Sequence, residues 1–279
     1  METFYKEEIS KLYTSEAEKL KFDVMIFKKL IFLYGSSDRT YLIILLKTRK
    51  MTNIKKIVIE KIQHSEIKEI AGILTDAFIT NPAYSIVFKK KSRQREGLLW
   101  LFKASLILDN HKQKLTYVIK EKDTGKIIGT FTLIPPQGVK KGITVYSKIG
   151  IVGFIAKFGL HSFFRMLRLD DCNKLTLKKS IKTSTYYYLS MVVIRKEYRG
   201  MGIGSYAIRN AIEELIASKP SCNMIGLTTQ LPENVTFYSR MGFELLDEGY
   251  IDFEGDKYSN YNMKLNILIP KGNVRNEEQ

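Results

Sequence analysis

The chain has 279 residues, of which 44% are hydrophobic and 27% are charged, a composition typical of a folded globular protein. This length allows one large domain or two small ones, and it is sufficient to bury a hydrophobic core. The two cysteines, Cys172 and Cys222, are too few for a disulfide framework and show no metal-ligand spacing. We therefore expect a cytoplasmic protein without a metal site.

The net charge of +16 is concentrated in one part of the chain. Residues 51–180 contain 24 lysines and arginines against 10 aspartates and glutamates, whereas residues 181–279 contain 11 against 12. A basic excess can serve an anionic partner such as nucleic acid or a membrane surface. Scattered lysines that do not alternate with aromatic residues are more typical of solvated faces, so we expect no nucleic-acid partner.

No segment has the pattern of a membrane span or of a secretion signal. The longest uncharged apolar run, Ile149 to Ala156, has 8 residues, whereas a membrane-spanning helix needs about 20. The first residues, Met1 to Glu8, are acidic and mixed, which differs from the basic and then apolar order of a secretion signal. We therefore expect no membrane span.

The N-terminal part of the chain divides near residue 50. Residues 1–50 carry two apolar patches and are interpreted as an extension of uncertain order, with a partner-binding arm as the alternative. Residues 54–60 predict a strand. Ser65 is the expected N-cap of a helix whose apolar residues follow the 3.6-residue period and which ends at Asn81-Pro82. A second apolar helix is predicted over residues 98–108.

A hairpin and a long insertion come next. Residues 115–120 and 127–133 predict two strands around a turn at residues 123–125. Residues 137–183 form an insertion whose centre, residues 145–169, is predicted to be helical. Connections of this length are usually functional, although a helix that only covers one face of the sheet is the alternative.

A glycine-rich turn follows the next predicted strand. Residues 187–194 predict that strand, residues 195–198 form a charged loop, and residues 199–204 read Arg-Gly-Met-Gly-Ile-Gly at the start of a helix. Such a turn leaves backbone N–H groups unpaired at a point where the helix dipole also favours negative charge. The segment therefore predicts a pyrophosphate site.

Two classes of cofactor could use this turn. A dinucleotide site needs the pattern G-x-G-x-x-G and an acidic residue about 20 positions later. Gly200, Gly202 and Ser205 fit that pattern only loosely, and the next predicted strand, residues 224–229, has no acid at its end. The alternative pattern, R-x-x-G-x-G, is satisfied in full by residues 199–204.

With this second pattern, residues 186–243 resemble the GNAT superfamily of acyl-CoA-dependent N-acyltransferases. The strand, the four-residue loop, the glycine turn, the second strand and a Y-x-x-x-G-F sequence from Tyr238 to Phe243 follow in the family's order. The longer close N-x-x-F-Y-x-x-x-G-F and the preceding insertion resemble the branch that includes puromycin-type N-acetyltransferases. Residues 54–133 match more loosely, by their order of elements.

This resemblance implies an α/β fold, with a mixed twisted sheet flanked by helices over residues 51–270 and a polar tail over residues 271–279. It also implies acetyl-CoA as the co-substrate. The pyrophosphate would lie against the backbone N–H groups of the glycine turn, and the residues assigned to it are Arg199, Gly200, Met201, Gly202, Ile203, Gly204 and Ser205. The pantetheine arm would bind free backbone groups of Val192, Val193 and Ile194.

Two residues near the end of the motif complete the implied site. Tyr238 would donate a proton to the departing CoA thiolate, which suits a phenol within hydrogen-bonding distance of the sulfur. Because Phe237 and Phe243 flank it, a purely packing role is the alternative. Asn234 would hydrogen-bond the cofactor or stabilise its own turn.

The general base is not apparent from the sequence. Tyr187, Tyr188 and Ser190 lie on the strand before the turn, but this strand has no Glu or Asp, so we expect a water-mediated proton transfer or a base from elsewhere. Acids on the early helix are possible bases, although surface roles are more common for such residues: Glu66, Glu69 and Asp76. The scattered histidines have surface or structural roles as their simplest interpretation: His64, His111 and His161.

The sequence therefore predicts an N-acetyltransferase that acts on a primary amine of a small molecule or peptide, as a monomer or homodimer. A catalytically weak, CoA-binding regulatory module is the alternative, and the missing strand carboxylate is its main support. The insertion is expected to line the acceptor site. Its aromatic residues and basic neighbours suggest an apolar pocket with a positive rim: Phe154, Phe158, Phe163 and Phe164.

Overall fold

The computed structural model describes residues 54, 56–88, 91–139, 143–183, 185–219 and 223–267. The predicted extension over residues 1–50 and the tail over residues 271–279 lie outside these residues, as does Cys222. None of the described helices is both long enough and apolar enough to cross a membrane.

The described residues form a mixed α/β fold around a seven-stranded sheet in the order β1-β2-β3-β4-β5-β7-β6. The strand pairs are antiparallel except for β4 and β5, which are parallel. The strands are β1 Ile57–Lys61, β2 Thr116–Glu121, β3 Ile127–Ile134, β4 Tyr187–Ile194, β5 Met224–Thr229, β6 Glu244–Phe253 and β7 Asp256–Asn266. The predicted mixed sheet is thereby confirmed, and β4 and β5 have the predicted bounds.

Helices lie on both faces of the sheet, because each has an apolar stripe to bury. Two short 3-10 turns, His64–Glu66 and Lys196–Tyr198, precede α1 and the glycine turn. The α-helices are α1 Ile67–Phe78, α2 Pro82–Ser85, α3 Lys91–Asp109, α4 Ile143–Lys148, α5 Ile151–Ile181, α6 Ile203–Ser218 and α7 Pro232–Ser239.

The prediction of Ser65 as a helix N-cap was wrong. Ser65 lies inside the first 3-10 turn, and the N-cap is Gln63, two residues earlier, which forms a reciprocal pair with Glu66. The Glu66 carboxylate accepts from the Gln63 backbone N–H at 2.7 Å. This capping box satisfies donors that would otherwise be unpaired at the start of the helical segment.

Two hydrophobic clusters occupy the two faces of the sheet. One contains Ile70, Leu98 and Phe102 from α1 and α3. The other contains the predicted stripe of α6, including Ala207 and Ile208, which packs on β4 and β5. The stripe of α6 is therefore core, as the 3.6-residue period predicts.

The predicted insertion folds into α4 and α5. Helix α5 is kinked at Gly159, which has φ +84° and ψ +155°, a conformation that glycine adopts without steric cost. The part of α5 after this kink crosses the sheet next to β5, β6 and β7.

A ladder of polar side chains holds the second half of α5 on β7. Alternate β7 residues hydrogen-bond to successive turns of α5: Tyr258 to Asn173 at 3.0 Å, Asn260 to Thr176 at 3.4 Å, and Asn262 to Ser180 at 3.0 Å. Side chains two residues apart on β7 point to the same face of the sheet, and side chains three to four residues apart on α5 point to the same side of the helix, so the two rows can pair. These hydrogen bonds therefore fix the position of α5 along β7 and its rotation about its own axis.

Asn260 is the centre of this ladder. Its Oδ1 atom accepts from the Thr228 hydroxyl at 2.5 Å and from the Gln230 amide at 3.2 Å, and its Nδ2 atom also donates to Asn262 at 3.1 Å. Gln230 in turn accepts from Asn81 at 3.2 Å. The network thus joins α5, β7, the end of β5 and the start of α2.

A second anchor of α5 is ionic. The buried Arg165 guanidinium bonds to Glu254 in the β6–β7 turn and to the Ile86 carbonyl oxygen at 2.6 Å. It also lies 5.1 Å from the centre of the Phe253 ring. A buried guanidinium needs partners to compensate for its lost hydration, so Arg165 would be costly to separate from these groups. The contacts therefore hold α5 against the β6–β7 turn.

We predict that Asn260→Ala lowers the free energy of unfolding by about 2–3 kcal/mol, because it leaves buried donors and acceptors unpaired. The measurement is urea denaturation of the full chain. Asn266→Ala, at the exposed end of the same strand, is the matched control and should cost about 0.5 kcal/mol or less. Equal losses in the two variants would contradict a special role for the ladder.

Candidate functional site

The glycine turn has a backbone that requires glycine at two positions. Gly200 has φ +76° and Gly202 has φ +80°, the left-handed region that side chains with a Cβ atom rarely adopt. Gly202 is also the N-cap of α6, and no side chain caps this helix. The conformation turns the chain from the second 3-10 turn into the helix and leaves its first turn open to a ligand.

The N–H groups of this turn have no protein acceptor among the described residues. Within the described part of the chain, no backbone N–H of residues 200–205 donates to another residue, and the first bond of α6 runs from Tyr206 to the Gly202 carbonyl. Unpaired donors at a helix N-terminus form an anion site together with the helix dipole. The row of N–H groups therefore fits a pyrophosphate.

Gly204 serves packing. A Cβ atom on it would lie 3.2 Å from Cγ1 of Ile194 and 3.6 Å from Cζ of Phe237. The absence of a side chain thus lets α6 approach the end of β4 closely. The contact of the Gly204 backbone N–H with the pyrophosphate stays a prediction.

Arg199 and Arg195 shape the loop before the turn. The Arg199 Nε–H donates to the Ile194 carbonyl oxygen at 2.9 Å, and Arg195 donates to the Ile127 carbonyl oxygen at 2.7 Å and to Glu69 at 2.9 Å. Arg199 is exposed and is the residue that precedes the row of N–H groups in the chain. Positive charge and free donors are therefore combined at one end of β4.

Strands β4 and β5 diverge after a short pairing. Only Tyr187 and Tyr188 of β4 pair with β5, opposite Ile225 and Gly226, although β4 continues to Ile194. The edge of β4 that faces β5 is therefore open over the remainder of the strand, which includes Val192 to Ile194. Open strand edges can accept an extended ligand as an added strand.

A β-bulge accompanies this divergence. Thr130 of β3 pairs with Val193 and Thr132 pairs with Ser190, so Met191 and Val192 together lie opposite one β3 residue. Met191 has φ +51°, a backbone conformation that is uncommon without glycine. Bulges re-aim side chains, and here Leu189 and Val193 belong to different clusters on opposite faces of the sheet.

A cavity of about 300 Å³ opens where the strands separate. Its walls come from helices α1 to α5 and α7, the end of β3, the bulged part of β4 and the end of β5. Val192, Asn234 and Tyr238 line it, together with Tyr188 and Ser190. The predicted acid and two of the predicted cofactor contacts therefore share one cavity, which is continuous with the opening between β4 and β5.

Tyr238 lies at this cavity as a buried, protonated phenol. Its ring packs edge-on against Phe237 and Phe243, with centroid distances of 5.0 and 5.6 Å. Burial raises the pKa of its hydroxyl above the ordinary value of 10.0, because the phenolate would lose hydration. The group therefore keeps its proton at neutral pH.

Asn234 has a structural contact of its own. Its Nδ2 atom donates to the Thr229 hydroxyl at 2.8 Å, which ties the first turn of α7 to the end of β5. This bond supports the turn-stabilising alternative for Asn234, and a contact with the cofactor stays a prediction.

Among the base candidates, Tyr188 and Ser190 line the cavity, whereas Tyr187 is buried on the opposite face next to α6. The Ser190 Oγ atom is buried and has no partner among the described residues. The candidate acids of the early helical region do not line the cavity. They form ion pairs elsewhere: Glu66 with Lys120, Glu69 with Arg195 and Asp76 with Arg95. None of the three histidines lines it.

The cavity-wall residues that sequence reasoning missed include Tyr84, Trp100, Asp109 and Asp170. Sequence reasoning also predicted the wrong charge. The charged side chains among the described lining residues are Asp109, Asp170 and Lys174, so the expected positive rim is absent from this lining. Within the described residues, no three His, Cys, Asp or Glu side chains could hold a metal ion together.

The aromatic residues of the insertion divide among different roles. Phe163 lines the cavity. Phe154 is core and packs 4.1 Å from the Trp100 ring and 4.7 Å from Phe158, and Phe164 is exposed. Sequence could not separate them, because the kink at Gly159 changes which side of α5 faces the sheet.

We predict that Gly200→Ala lowers the free energy of unfolding by about 1–2 kcal/mol through backbone strain. A Cβ atom there meets nothing within 4 Å, so strain is its main effect on the folded state. Gly200→Asn is the matched variant and should cost less, because asparagine tolerates the left-handed region better. Urea denaturation measures both, and equal losses would contradict the strain.

Comparison with protein families identifies a matching family. The family described as "Acetyltransferase (GNAT) family" matches residues 79–243, which is more than half of the chain. No curated protein matches the sequence.

The solved structures that resemble this chain share little sequence with it. A histone acetyltransferase HPA2 and related acetyltransferase from Corynebacterium glutamicum is 18% identical, with a TM-score of 0.51 over 78% of this chain and 99% of that chain. A mosquito arylalkylamine N-acetyltransferase like 5b is 14% identical, with a TM-score of 0.48 over 76% and 100%. A spermidine N-acetyltransferase from Vibrio cholerae is 14% identical, with a TM-score of 0.43 over 76% and 96%.

Proposed function

Because the chain belongs to the GNAT acetyltransferase family, we propose that it transfers an acetyl group from acetyl-CoA to a primary amine of a small molecule or peptide. The observation that carries this proposal is the row of N–H groups at residues 200–205, which have no acceptor among the described residues and lie beside a cavity between two diverging strands. A pyrophosphate at one end and an extended arm along an open strand edge are the parts of CoA that this arrangement suits.

The residues fit the cofactor at each of these places. The N–H groups of residues 200–205 would hold the pyrophosphate, with Arg199 beside them. The open edge of β4 over Val192, Val193 and Ile194 would pair with the pantetheine arm, and Asn234 would add a contact at the cavity. Acetyl-CoA, when bound, would supply the acetyl group as a thioester.

The chain's own groups would then handle charge and protons. The backbone N–H of Val192 would donate to the acetyl oxygen as negative charge develops there, which is the largest common contribution in acyl transfer. Tyr238 would hold a proton on its Oη atom and donate it to the leaving sulfur. Ser190, whose Oγ atom is buried and unpartnered among the described residues, would hold a water that takes a proton from the amine.

A catalytically weak CoA-binding module is the second candidate. The observation that favours it is the absence of a carboxylate on β4, where Tyr188 and Ser190 face the cavity. A buried Tyr238 at the same cavity favours the enzyme. The branch that resembles puromycin-type N-acetyltransferases stays a prediction.

We predict that acetyl-CoA stabilises the protein against thermal unfolding and that NAD does not. At a concentration of 100 times its Kd, a ligand that binds only the folded state adds about 2.7 kcal/mol, which a thermal melt detects. Stabilisation by NAD in place of acetyl-CoA would overturn the assignment of the glycine turn to CoA.

We predict that Tyr238→Phe lowers kcat by about 10²–10⁴ while the Kd for acetyl-CoA stays unchanged. Release of free thiol measures the rate, and calorimetry measures the Kd. Tyr250→Phe removes the same hydroxyl from a tyrosine that is 78% exposed on β6, and it should retain full activity. A weakened Kd in Tyr238→Phe would assign the tyrosine to packing or binding, and unchanged turnover would exclude it as the acid.

A further inference from the structure

The cavity carries a charge opposite to that of the whole chain. The protein has 45 lysines and arginines against 29 aspartates and glutamates, yet the charged residues among the described cavity lining are two aspartates and one lysine. The lysine, Lys174, is bonded to Asp170 at 2.5 Å. The lining therefore favours a cation over an anion.

Most of the remaining wall is apolar or aromatic. Tyr84 packs edge-on against Phe102 with ring centroids 5.5 Å apart, and Trp100 lies 4.1 Å from Phe154. These contacts hold the rings in place from behind, while both side chains also line the cavity with Phe163. Rigid aromatic walls bind apolar groups well and also attract cations to their faces.

The negative charge of Asp170 affects other side chains of the cavity wall. Burial of the Tyr84 and Tyr188 hydroxyls is the main cause that raises their pKa, and the negative charge of Asp170 raises it further. The field of Asp170 therefore reaches two other residues of the wall. Its bond to Lys174 is an exposed pair one helical turn apart. Such pairs are weak, and an ammonium group from a ligand can therefore compete with the lysine.

Asp109 adds a second acid. It lies at the end of α3, is buried, and lines the same cavity. Together with Asp170, it places two carboxylates against the one lysine of the described lining.

We propose that the acceptor is an apolar amine with one positive charge and no carboxylate, whose aromatic or aliphatic part lies between Tyr84, Trp100 and Phe163 while Asp170 attracts the ammonium. This inference rests on the proposed acetyltransferase function and narrows its substrate class. A cavity of about 300 Å³ is at the small end of small-molecule sites, which suits such an amine better than a peptide.

The reaction balances for this substrate. The ammonium loses two protons, the new N–C bond forms, and the thioester C–S bond breaks. One proton is accounted for on the CoA sulfur through Tyr238, and the other leaves to solvent. The products are an uncharged amide and free CoA thiol, so the group that Asp170 attracts is no longer a cation after transfer. Product release is favoured for that reason.

The first test compares three amines in a free-thiol assay with acetyl-CoA. Phenethylamine has an apolar ring and one charge, phenylalanine adds a carboxylate to the same skeleton, and putrescine replaces the ring with a second ammonium. We expect kcat/KM for phenethylamine to exceed that of each of the others by about tenfold or more, because like charges repel and a second cation has no apolar contact. Equal or better use of phenylalanine or putrescine, or no acetylation of phenethylamine, would overturn the proposal.

The second test removes the acid. Asp170→Asn should raise KM for phenethylamine by roughly tenfold and reduce the preference over phenylalanine, with a smaller change in kcat. Asp171→Asn is the matched control, because Asp171 is the next residue on the same helix, is exposed and does not line the cavity. It should leave both substrates unchanged, and equal effects of the two variants would exclude a specific role for Asp170.

A binding measurement separates recognition from turnover. Trp100 is the chain's one tryptophan and lines the cavity, so its fluorescence reports occupancy directly. In the presence of CoA, phenethylamine should change this fluorescence in the parent protein and in Asp171→Asn, and Asp170→Asn should need roughly tenfold more amine. Unchanged fluorescence in the parent protein at saturating amine would overturn the proposed site.

The two proposals fail in different ways. If acetyl-CoA stabilises the protein and another amine class is acetylated faster, the substrate inference is wrong and the acetyltransferase assignment stands. If acetyl-CoA does not bind at all, the acetyltransferase assignment itself is wrong. The thermal melt with acetyl-CoA is therefore run first on each variant.

Discussion

The candidate site depends on the early separation of β4 from β5. Parallel strands normally satisfy each other's backbone groups along their whole shared length, but here the pairing stops after Tyr188 and Gly226. The bulge at Met191 turns β4 at this point, and Gly226 admits Ile181 of α5, because a Cβ atom there would lie 2.5 Å from that side chain. The opening creates the cavity, the free strand edge and the approach to the glycine turn together.

An opening in the centre of a sheet needs rigid supports on both sides. Helix α6 supports one side, because Gly204 lets it pack closely against Ile194. Helix α5 supports the other side through the hydrogen bonds of its second half to β7 and through its own buried residue Arg165, which bonds to the Ile86 carbonyl oxygen. Apolar packing alone tolerates small sliding, whereas hydrogen bonds between particular atoms do not. The ladder therefore sets which side chains of α5 reach the cavity.

Local patterns were sufficient to predict the scaffold, and three-dimensional effects decided the site. The bounds of β4 and β5 follow from apolar runs, and the stripe of α6 follows from its period. Asp170 and Asp171 are adjacent acids that sequence cannot distinguish, yet only Asp170 lines the cavity. The difference arises from the 100° rotation between helical neighbours and from the rotation of α5, which the ladder to β7 fixes. The cap was wrongly predicted at Ser65 for a related reason, since it depends on the reciprocal pair that Gln63 and Glu66 form in the folded chain.

The contrast between overall and local charge has a mechanistic consequence. The exposed Arg199 next to the glycine turn would favour an anionic cofactor, while the acidic lining of the cavity would favour a cationic acceptor. The two ligands would thus be attracted to opposite ends of one continuous opening, and each end would repel the ligand of the other. Charge separation along the opening between β4 and β5 can therefore order both substrates without a carboxylate on β4 itself. The positive rim was predicted from the basic neighbours of the insertion's phenylalanines, but the charged residues of the described lining are Asp109, Asp170 and Lys174.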